Sequence, residues 1–266
     1  MVSIAALNEW KREIAPWQQM WQTEQDLIIS RCLVAIFSDE YLNEHLAFRG
    51  GTALHKLYLQ PAPRYSEDID LVQIKPEPIK PIMQRLNEVI DFFELPRNTK
   101  HGGHGIKALY RYYSELENIK LRLKIEINCK EHSSVFPLVK FPFEVNSDWY
   151  SGICNIHTYD IHELLGTKLR ALYQRKKGRD LFDIDYARRN LDIDWTKVVH
   201  CFKKYITDVT SKRPPSQKEF IITMDSKIGQ LAFDGDMEAI LRPRVDYSQE
   251  EAWECMQVEI INKVYL

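Results

Sequence analysis

Asp68 and Asp70, two aspartates separated by a single isoleucine, are the residues best suited to chemistry in this sequence. In a β-strand, residues two apart project from the same face, so the two carboxylates would lie side by side. Strands disfavour aspartate and adjacent carboxylates repel, so we expect a compensating divalent cation, held together with substrate phosphates. The apolar residues Ile69 and Leu71 favour a buried strand. The alternatives are a polar loop that continues from Glu67, or an acidic strand at a sheet edge.

Glu126 offers a third carboxylate within a segment of regular alternation. From Ile119 to Asn128, apolar residues alternate with charged and polar ones, which predicts a strand with one buried and one solvated face. If this strand pairs beside Asp68 and Asp70, three carboxylates converge, as a two-metal phosphoryl-transfer site requires. The alternative is an exposed Glu126 that is paired with Lys124. Basic residues that could bind phosphate collect on the same strand at Lys120, Arg122 and Lys124.

A glycine pair, Gly50 and Gly51, precedes Thr52 between a short extended segment and a helical pattern. Two glycines let the backbone approach a phosphate closely, and the helix start that follows presents unpaired N–H groups to an anion. A plain turn is the alternative interpretation.

A cationic helix face is predicted further along the chain. Lys168 and Arg175 lie two helical turns apart on one face and could stabilise charge that develops on a triphosphate. Asp180 could take part in that site or simply cap the next helix, with Arg179 as a surface residue. His101 and His104 are spaced like metal ligands, but no partner cysteines or carboxylates accompany them, which favours a flexible loop.

The elements that must position these residues change in character along the chain. The first part alternates helical and strand patterns, and from Tyr159 onward the pattern is helical, so we predict two domains, 1–155 and 156–266. The predicted helices of the first domain cover residues 24–46, 52–59 and 76–93. Its predicted strands cover residues 68–72, 106–113 and 119–128, and a further extended segment at a sheet edge covers residues 136–145. A loop is predicted over residues 95–105. Asp160, Asp180 and Ser248 are the predicted caps of later helices.

Composition narrows the class of protein. The 266 residues are 44% hydrophobic and 28% charged with a net charge of −2, which is typical of a globular domain without a global attraction to nucleic acid. No stretch approaches the ~20 apolar residues that a membrane span needs. The five cysteines form no C-x-x-C pair, which argues against structural zinc and for a reducing compartment, so we expect a cytoplasmic protein.

Three segments together resemble a known family. Residues 48–54 (FRGGTAL) and 66–70 (SEDID) are similar to the signature of the AbiEii/AbiGii toxins within the DNA polymerase β-like nucleotidyltransferase superfamily. These are the toxin halves of bacterial phage-abortive and toxin–antitoxin systems. Residues 168–172 (KLRAL) and 179–183 (RDLFD) match the downstream motif of that family. The resemblance covers about residues 46–190, and the interval between Gly51 and Asp68 is longer than in the compact members of the superfamily.

The resemblance implies a fold, a cofactor and roles for particular residues. The fold would be α+β, with a polymerase β-like nucleotidyltransferase core, a mixed sheet flanked by helices, followed by a helical C-terminal domain. The nucleotide would be held by Gly50, Gly51, Thr52, Lys168 and Arg179. Mg²⁺ would be held by Asp68, Asp70 and Glu126, of which Glu126 is matched by strand pattern alone. Lys168 and Asp180 would complete the catalytic motif.

The resemblance also implies an activity, namely transfer of a nucleoside monophosphate from an NTP to an acceptor hydroxyl with release of pyrophosphate. The implied acceptor is RNA, such as a tRNA 3′ end, and the implied protein partner is a cognate antitoxin. Two alternatives stay open. One is a nucleotidyltransferase that acts on a small molecule or a protein, and the other is a catalytically silent binding module of the same fold.

Overall fold

The computed structural model describes residues 2–93, 95, 97–103, 105–114, 119–210, 213–230, 233 and 237–265. The chain divides into two compact units, Met1–Tyr159 and Asp160–Leu266. The predicted division after residue 155 falls inside a strand, Ser151–Thr158, that belongs to the first unit. None of the helices in the described ranges combines the length and apolar character that a membrane crossing demands.

The first unit is built on a mixed sheet, in which seven strands lie within the described residues. They are β1 (Leu46–Arg49), β2 (Asp68–Gln73), β3 (Asn98–Gly102), β4 (Gly105–Tyr113), β5 (Lys120–Asn128), β6 (Val139–Asn146) and β7 (Ser151–Thr158). Their order across the sheet is β3-β4-β5-β2-β1-β7-β6. The pairs β1–β7 and β2–β5 are parallel and the others are antiparallel, so the predicted mixed sheet is confirmed.

Helices flank this sheet. They are α1 (Ile4–Glu13), α2 (Met20–Ser38), α3 (Glu40–His45), α4 (Gly50–Ala53), which continues as a π-helical turn over Leu54–Tyr58, and α5 (Ile79–Val89). The long helix α2 packs against β5, β6 and β7. It is buried nearly all round: Leu27, Ile29 and Leu33 are fully buried, and so, almost entirely, are polar side chains of its first half such as Glu24 and Gln25.

The sheet differs from the sequence prediction at β3 and β7. The predicted loop over 95–105 contains β3, whose residues are all exposed, so the strand shows none of the apolar alternation that marks a half-buried strand. His101 lies on this strand, and His104 lies outside the described residues. The strand β7 was not predicted. The edge position expected for 136–145 is confirmed, since β6 ends the sheet.

The second unit is helical, as predicted. It contains α6 (Ile161–Gln174), α7 (Gly178–Asn190), α8 (Trp195–Thr210), α9 (Gln217–Asp225) and α10 (Gln249–Met256), followed by a π-helical turn over Gln257–Ile261 and a short α11 (Asn262–Val264). Asp160 caps α6 by accepting a hydrogen bond from the backbone N–H of His162. The predicted cap at Asp180 is wrong, because α7 begins two residues earlier with Lys177 as its N-cap.

Candidate functional site

The pairing of β2 with β5 brings the predicted carboxylates together. Asp70 lies directly opposite Glu126, and Asp68 lies opposite Lys124, on parallel neighbouring strands. Because β2 is flanked by β1 and β5, the loop and edge-strand interpretations of Asp68 and Asp70 are wrong. Ile69 of the same strand is fully buried on the other face, so the alternation of the sequence holds all the acidic groups on one solvent-facing side.

Two lysines surround these carboxylates. The Lys124 Nζ atom lies 2.8 Å from Asp68 Oδ2 and 3.5 Å from Glu126 Oε2. Lys107, which is opposite Glu126 on β4, places its Nζ 3.0 Å from the same Glu126 oxygen. Glu126 is therefore both paired with lysine and a neighbour of the two aspartates. The predicted convergence of three carboxylates and the predicted pairing with Lys124 are thus found together in the structure.

The carboxyl group of Asp70 has a raised pKa in the folded protein. Burial raises its pKa, and the negative charge of Asp68 raises it further, against the opposing charges of Lys124 and Arg49. Arg49 stands opposite Asp70 on β1, and its guanidinium is held at 2.6 Å by Glu131. An ionised Asp70 is thus costly in the ligand-free protein, as expected where a cation is to be bound.

The ammonium group of Lys124 is stabilised in its charged form. Burial lowers the pKa of its ammonium group, but Asp68, Asp70 and Glu126 outweigh that effect and raise the pKa above its ordinary value. The three carboxylates together therefore favour positive charge between them.

Gly50 is required by the position of Asp70. Its φ of +82° is rarely adopted by other residues, and a Cβ atom added there would lie 2.4 Å from Asp70 Oδ2. The glycine therefore lets the backbone at the start of α4 lie directly against a carboxylate. Gly51 follows it and is half-buried.

Thr52 lies in the interior, with a relative exposure of 2%. Its hydroxyl donates to the backbone oxygen of Asp68 and lies 2.8 Å from the Ser66 hydroxyl. In this structure it fixes the start of β2. That Gly50, Gly51 and Thr52 hold nucleotide phosphates stays a prediction.

Gln25 of α2 belongs to the site although no motif or spacing in the sequence selects it. Its side-chain nitrogen donates to the carbonyl of Glu67 at 2.8 Å and to that of Arg122 at 3.4 Å. These carbonyls lie on the β2 and β5 sides of the carboxylate pair, so one buried amide joins the two backbones just before the acidic residues. A glutamine among polar neighbours near the start of a helix gives no signal that it is buried.

The donor set suits a hard divalent ion, because Mg²⁺ prefers carboxylate oxygens and the two aspartates project together. Among the described residues, no three His, Cys, Asp or Glu side chains are arranged as a ready metal-ligand group. Asp68 and Glu126 instead direct oxygens at the Lys124 ammonium, which stands where positive charge is favoured. The residues therefore fit a cation, provided that the carboxylates turn from the lysine.

We expect Gly50→Ala to lower the free energy of unfolding by about 1–3 kcal/mol, because it adds backbone strain at positive φ. Its methyl group would also displace Asp70, so the nucleotide transfer that the family resemblance implies should fall on the order of tenfold to a hundredfold. Chemical denaturation and a transfer assay measure the two effects. Gly103→Ala is the matched control, since a Cβ there meets nothing within 4 Å. Wild-type behaviour of Gly50→Ala in both assays would refute the placement of Gly50 against Asp70.

The second unit has an ionic cluster of its own, which contains two of the predicted site residues. The Lys168 Nζ atom lies 3.1 Å from Asp180 Oδ1 and 2.7 Å from Asp183 Oδ2. Arg175 makes two further bonds to Asp180, of 2.6 and 2.8 Å. Both aspartates are fully buried, and the Lys168 side chain is 7% exposed. The structure thus joins Lys168 to Asp180, but as interior partners.

The cluster joins two cationic side chains with two anionic ones, all of them from the second unit. Burial raises the pKa of Asp180, but Lys168 and Arg175 outweigh burial and hold the pKa below its ordinary value. Arg179 is half-buried in the first turn of α7. The predicted roles of Lys168 and Arg179 in nucleotide binding, and of Asp180 in catalysis, stay predictions.

Comparison with solved structures shows proteins of the same fold. MenT4, a nucleotidyltransferase toxin from Mycobacterium tuberculosis, superposes with a TM-score of 0.72 at 16% identity, over 99% of this chain and 90% of that one. JHP933 from Helicobacter pylori gives a TM-score of 0.59 at 18% identity, over 93% of each chain.

Comparison of sequences identifies the family. No curated protein matches the chain. The family model described as "Nucleotidyl transferase AbiEii toxin, Type IV TA system" matches residues 31–255, which include both the sheet carboxylates and the Lys168 cluster. The chain therefore belongs to the AbiEii family of nucleotidyltransferase toxins of type IV toxin–antitoxin systems.

Proposed function

We propose that this toxin is a Mg²⁺-dependent enzyme that transfers a nucleoside monophosphate from an NTP to a hydroxyl of RNA, such as a tRNA 3′ end. The observation that carries the proposal is the register of β2 with β5, which aligns Asp68, Asp70 and Glu126 on one open face of the sheet. A cognate antitoxin and a role in phage-abortive defence complete the proposal, on the strength of the family.

In the proposed mechanism, Asp68 and Asp70 would hold the ion, and a bound Mg²⁺ would supply positive charge to the triphosphate and activate the acceptor hydroxyl. Glu126 is the third carboxylate and lies directly opposite Asp70. Gly50 brings the backbone beside Asp70, and Gln25 holds the backbones of the two strands in register. The chain thus contributes mainly positioning and fixed charge, as phosphoryl-transfer enzymes do.

An RNA acceptor is supported by the charge of the sheet beyond the carboxylates. Cross-strand partners share a face, so Arg122 of β5 lies beside Arg111 of β4, and Lys107 of β4 lies beside Lys100 of β3. All four are half-exposed or exposed. A basic surface therefore adjoins the acidic site across three strands, as expected for contacts to a polynucleotide backbone. A small-molecule acceptor would need no such extension.

The decisive experiment incubates the purified protein with labelled NTPs and total RNA, with and without Mg²⁺, at two salt concentrations. We expect Mg²⁺-dependent label in RNA that decreases as salt rises, with a salt slope that flattens by about 0.7 in Arg122→Ala because one phosphate contact is lost. Arg12→Ala, which removes an exposed arginine of α1, is the matched control.

The other outcomes separate the alternatives. Label in protein or in a small molecule, with none in RNA, would overturn the acceptor and leave the transferase standing. No transfer to any acceptor, together with no effect on bacterial growth, would favour the silent binding module.

A further inference from the structure

The ammonium group of Lys124 lies beside the carboxylates that would bind the metal ion in the proposed mechanism. Its ammonium lies 2.8 Å from Asp68 Oδ2 and 3.5 Å from Glu126 Oε2, so it bridges two of the three carboxylates. The side chain is 30% exposed, so it can leave this position toward solvent. Within the described residues, Lys107 forms its ion pair with Glu126, at 3.0 Å, and not with Asp68.

We propose that Lys124 is an internal counter-ion that competes with the divalent cation for Asp68, and that it moves onto the nucleotide phosphates when the cation binds. The inference rests on the proposed function. Mg²⁺ takes oxygen ligands at about 2.0–2.1 Å, and an ammonium group bonded to the same carboxylate repels it. Binding of the metal therefore requires Asp68 to exchange one cation for another.

The position of Lys124 on β5 explains why its ammonium group, once displaced from Asp68, would remain close enough to contact the nucleotide phosphates. The residue lies directly opposite Asp68, and the next residue on the same face is Glu126, so its four-carbon stem remains anchored on the solvent face that carries the carboxylates. A lysine released there would meet the phosphates that accompany the ion. The same side chain then opposes metal binding without nucleotide and supports nucleotide binding with it.

The two roles predict effects of opposite sign for Lys124→Met, which keeps most of the stem and removes the charge. Binding of Mn²⁺ or Mg²⁺ without nucleotide should tighten by about tenfold or more, since a unit charge and a divalent ion repel by that much at ~4 Å even in a water-like dielectric. The KM for NTP should rise on the order of tenfold, through loss of a phosphate contact. Direct titration calorimetry and steady-state kinetics measure these quantities. A purely structural role for Lys124 would weaken both.

Lys107→Met is the matched control, because it removes the same charge and the same contact to Glu126 without touching Asp68. We expect its metal affinity to rise less than that of Lys124→Met, because the charge that it removes faces Glu126 and not Asp68, and we expect Lys124→Arg to bind metal about as the wild type does. Should Lys124→Met unfold without ions, its Tm should rise more steeply with added Mg²⁺ than that of the wild type. Unchanged or weaker metal binding by Lys124→Met, or an equal gain in Lys107→Met, would overturn the inference. A wild-type protein that binds no divalent cation would instead overturn the proposed function.

Discussion

Asp70→Asn abolishes NTP-dependent transfer while the protein stays folded and loses no stability; this is the largest effect on activity that we expect. The amide oxygen of asparagine is a neutral and weaker ligand for a hard ion than a carboxylate, and the ion supplies several kcal/mol of transition-state stabilisation, so the loss should reach about a thousandfold or more. The pKa of Asp70 is raised in the folded protein, chiefly by burial and by Asp68. Ionisation of this group above its unfolded pKa of about 3.9 therefore costs stability at neutral pH, and asparagine removes that cost.

The measurements are transfer of label from NTP and thermal unfolding in the absence of metal, with Tm expected to be equal or slightly higher. Asp148→Asn serves as the control because it changes an exposed aspartate outside the cluster. Expression of the wild-type chain in a bacterium should slow growth, and expression of Asp70→Asn should not. Full transfer activity in Asp70→Asn would show that Asp70 is not a metal ligand. A lower Tm would show that the carboxylate of Asp70 stabilises the fold.

The strands that carry the carboxylates were predictable because their signal is local. Alternation over β5 and the Asp-Ile-Asp segment of β2 place the acidic groups on one face from sequence alone. Their pairing was only conditional, because parallel strands are set beside each other by tertiary packing across some fifty residues of chain. The strand β3 was not predictable, since a fully exposed strand buries no face and leaves no apolar period.

The second unit shows the same limit for charged residues. Spacing predicted Lys168 and Arg175 on one helix face directed at a triphosphate, but α6 ends at Gln174, and both side chains bind Asp180 in the structure. It did not indicate that the two aspartates are buried, because a charged residue near a helix start is most often a cap or a solvated side chain. The burial of Lys227 has no signal in the sequence either, although its ammonium donates to the carbonyls of Tyr173 and Arg175 at the C-terminal end of α6 and burial lowers its pKa to about 8.

Replacing Lys168 by alanine should produce the largest loss of stability, about 3–5 kcal/mol, because Asp180 and Asp183 are left fully buried without this counter-ion. Urea denaturation at neutral pH measures the loss, and Lys197→Ala, an exposed lysine of the same unit, should stay within about 0.5 kcal/mol of wild type. The pKa of Asp180 is lowered in the wild type, so its stabilising contribution is present above about pH 3.9 and is lost as pH falls through the lower folded pKa. The difference in the free energy of unfolding between Lys168→Ala and wild type should therefore shrink in acid, where the carboxylates that have lost the lysine become protonated.

The same variant tests whether Lys168 also meets the nucleotide, as the resemblance implies. We expect NTP use to fall on the order of a hundredfold, as the loss of a phosphate clamp would cause. Instability alone could lower activity, so the informative protein is the double variant Lys168→Met with Asp183→Asn, in which one charge of each sign is removed and Arg175 still holds Asp180. Its stability should recover by at least half, because no extra buried charge is left unpaired. If transfer per folded molecule stays about a hundredfold low in this double variant, Lys168 acts on the nucleotide. If transfer recovers along with stability, Lys168 is a structural counter-ion within the second unit, and the phosphate role predicted for it is wrong.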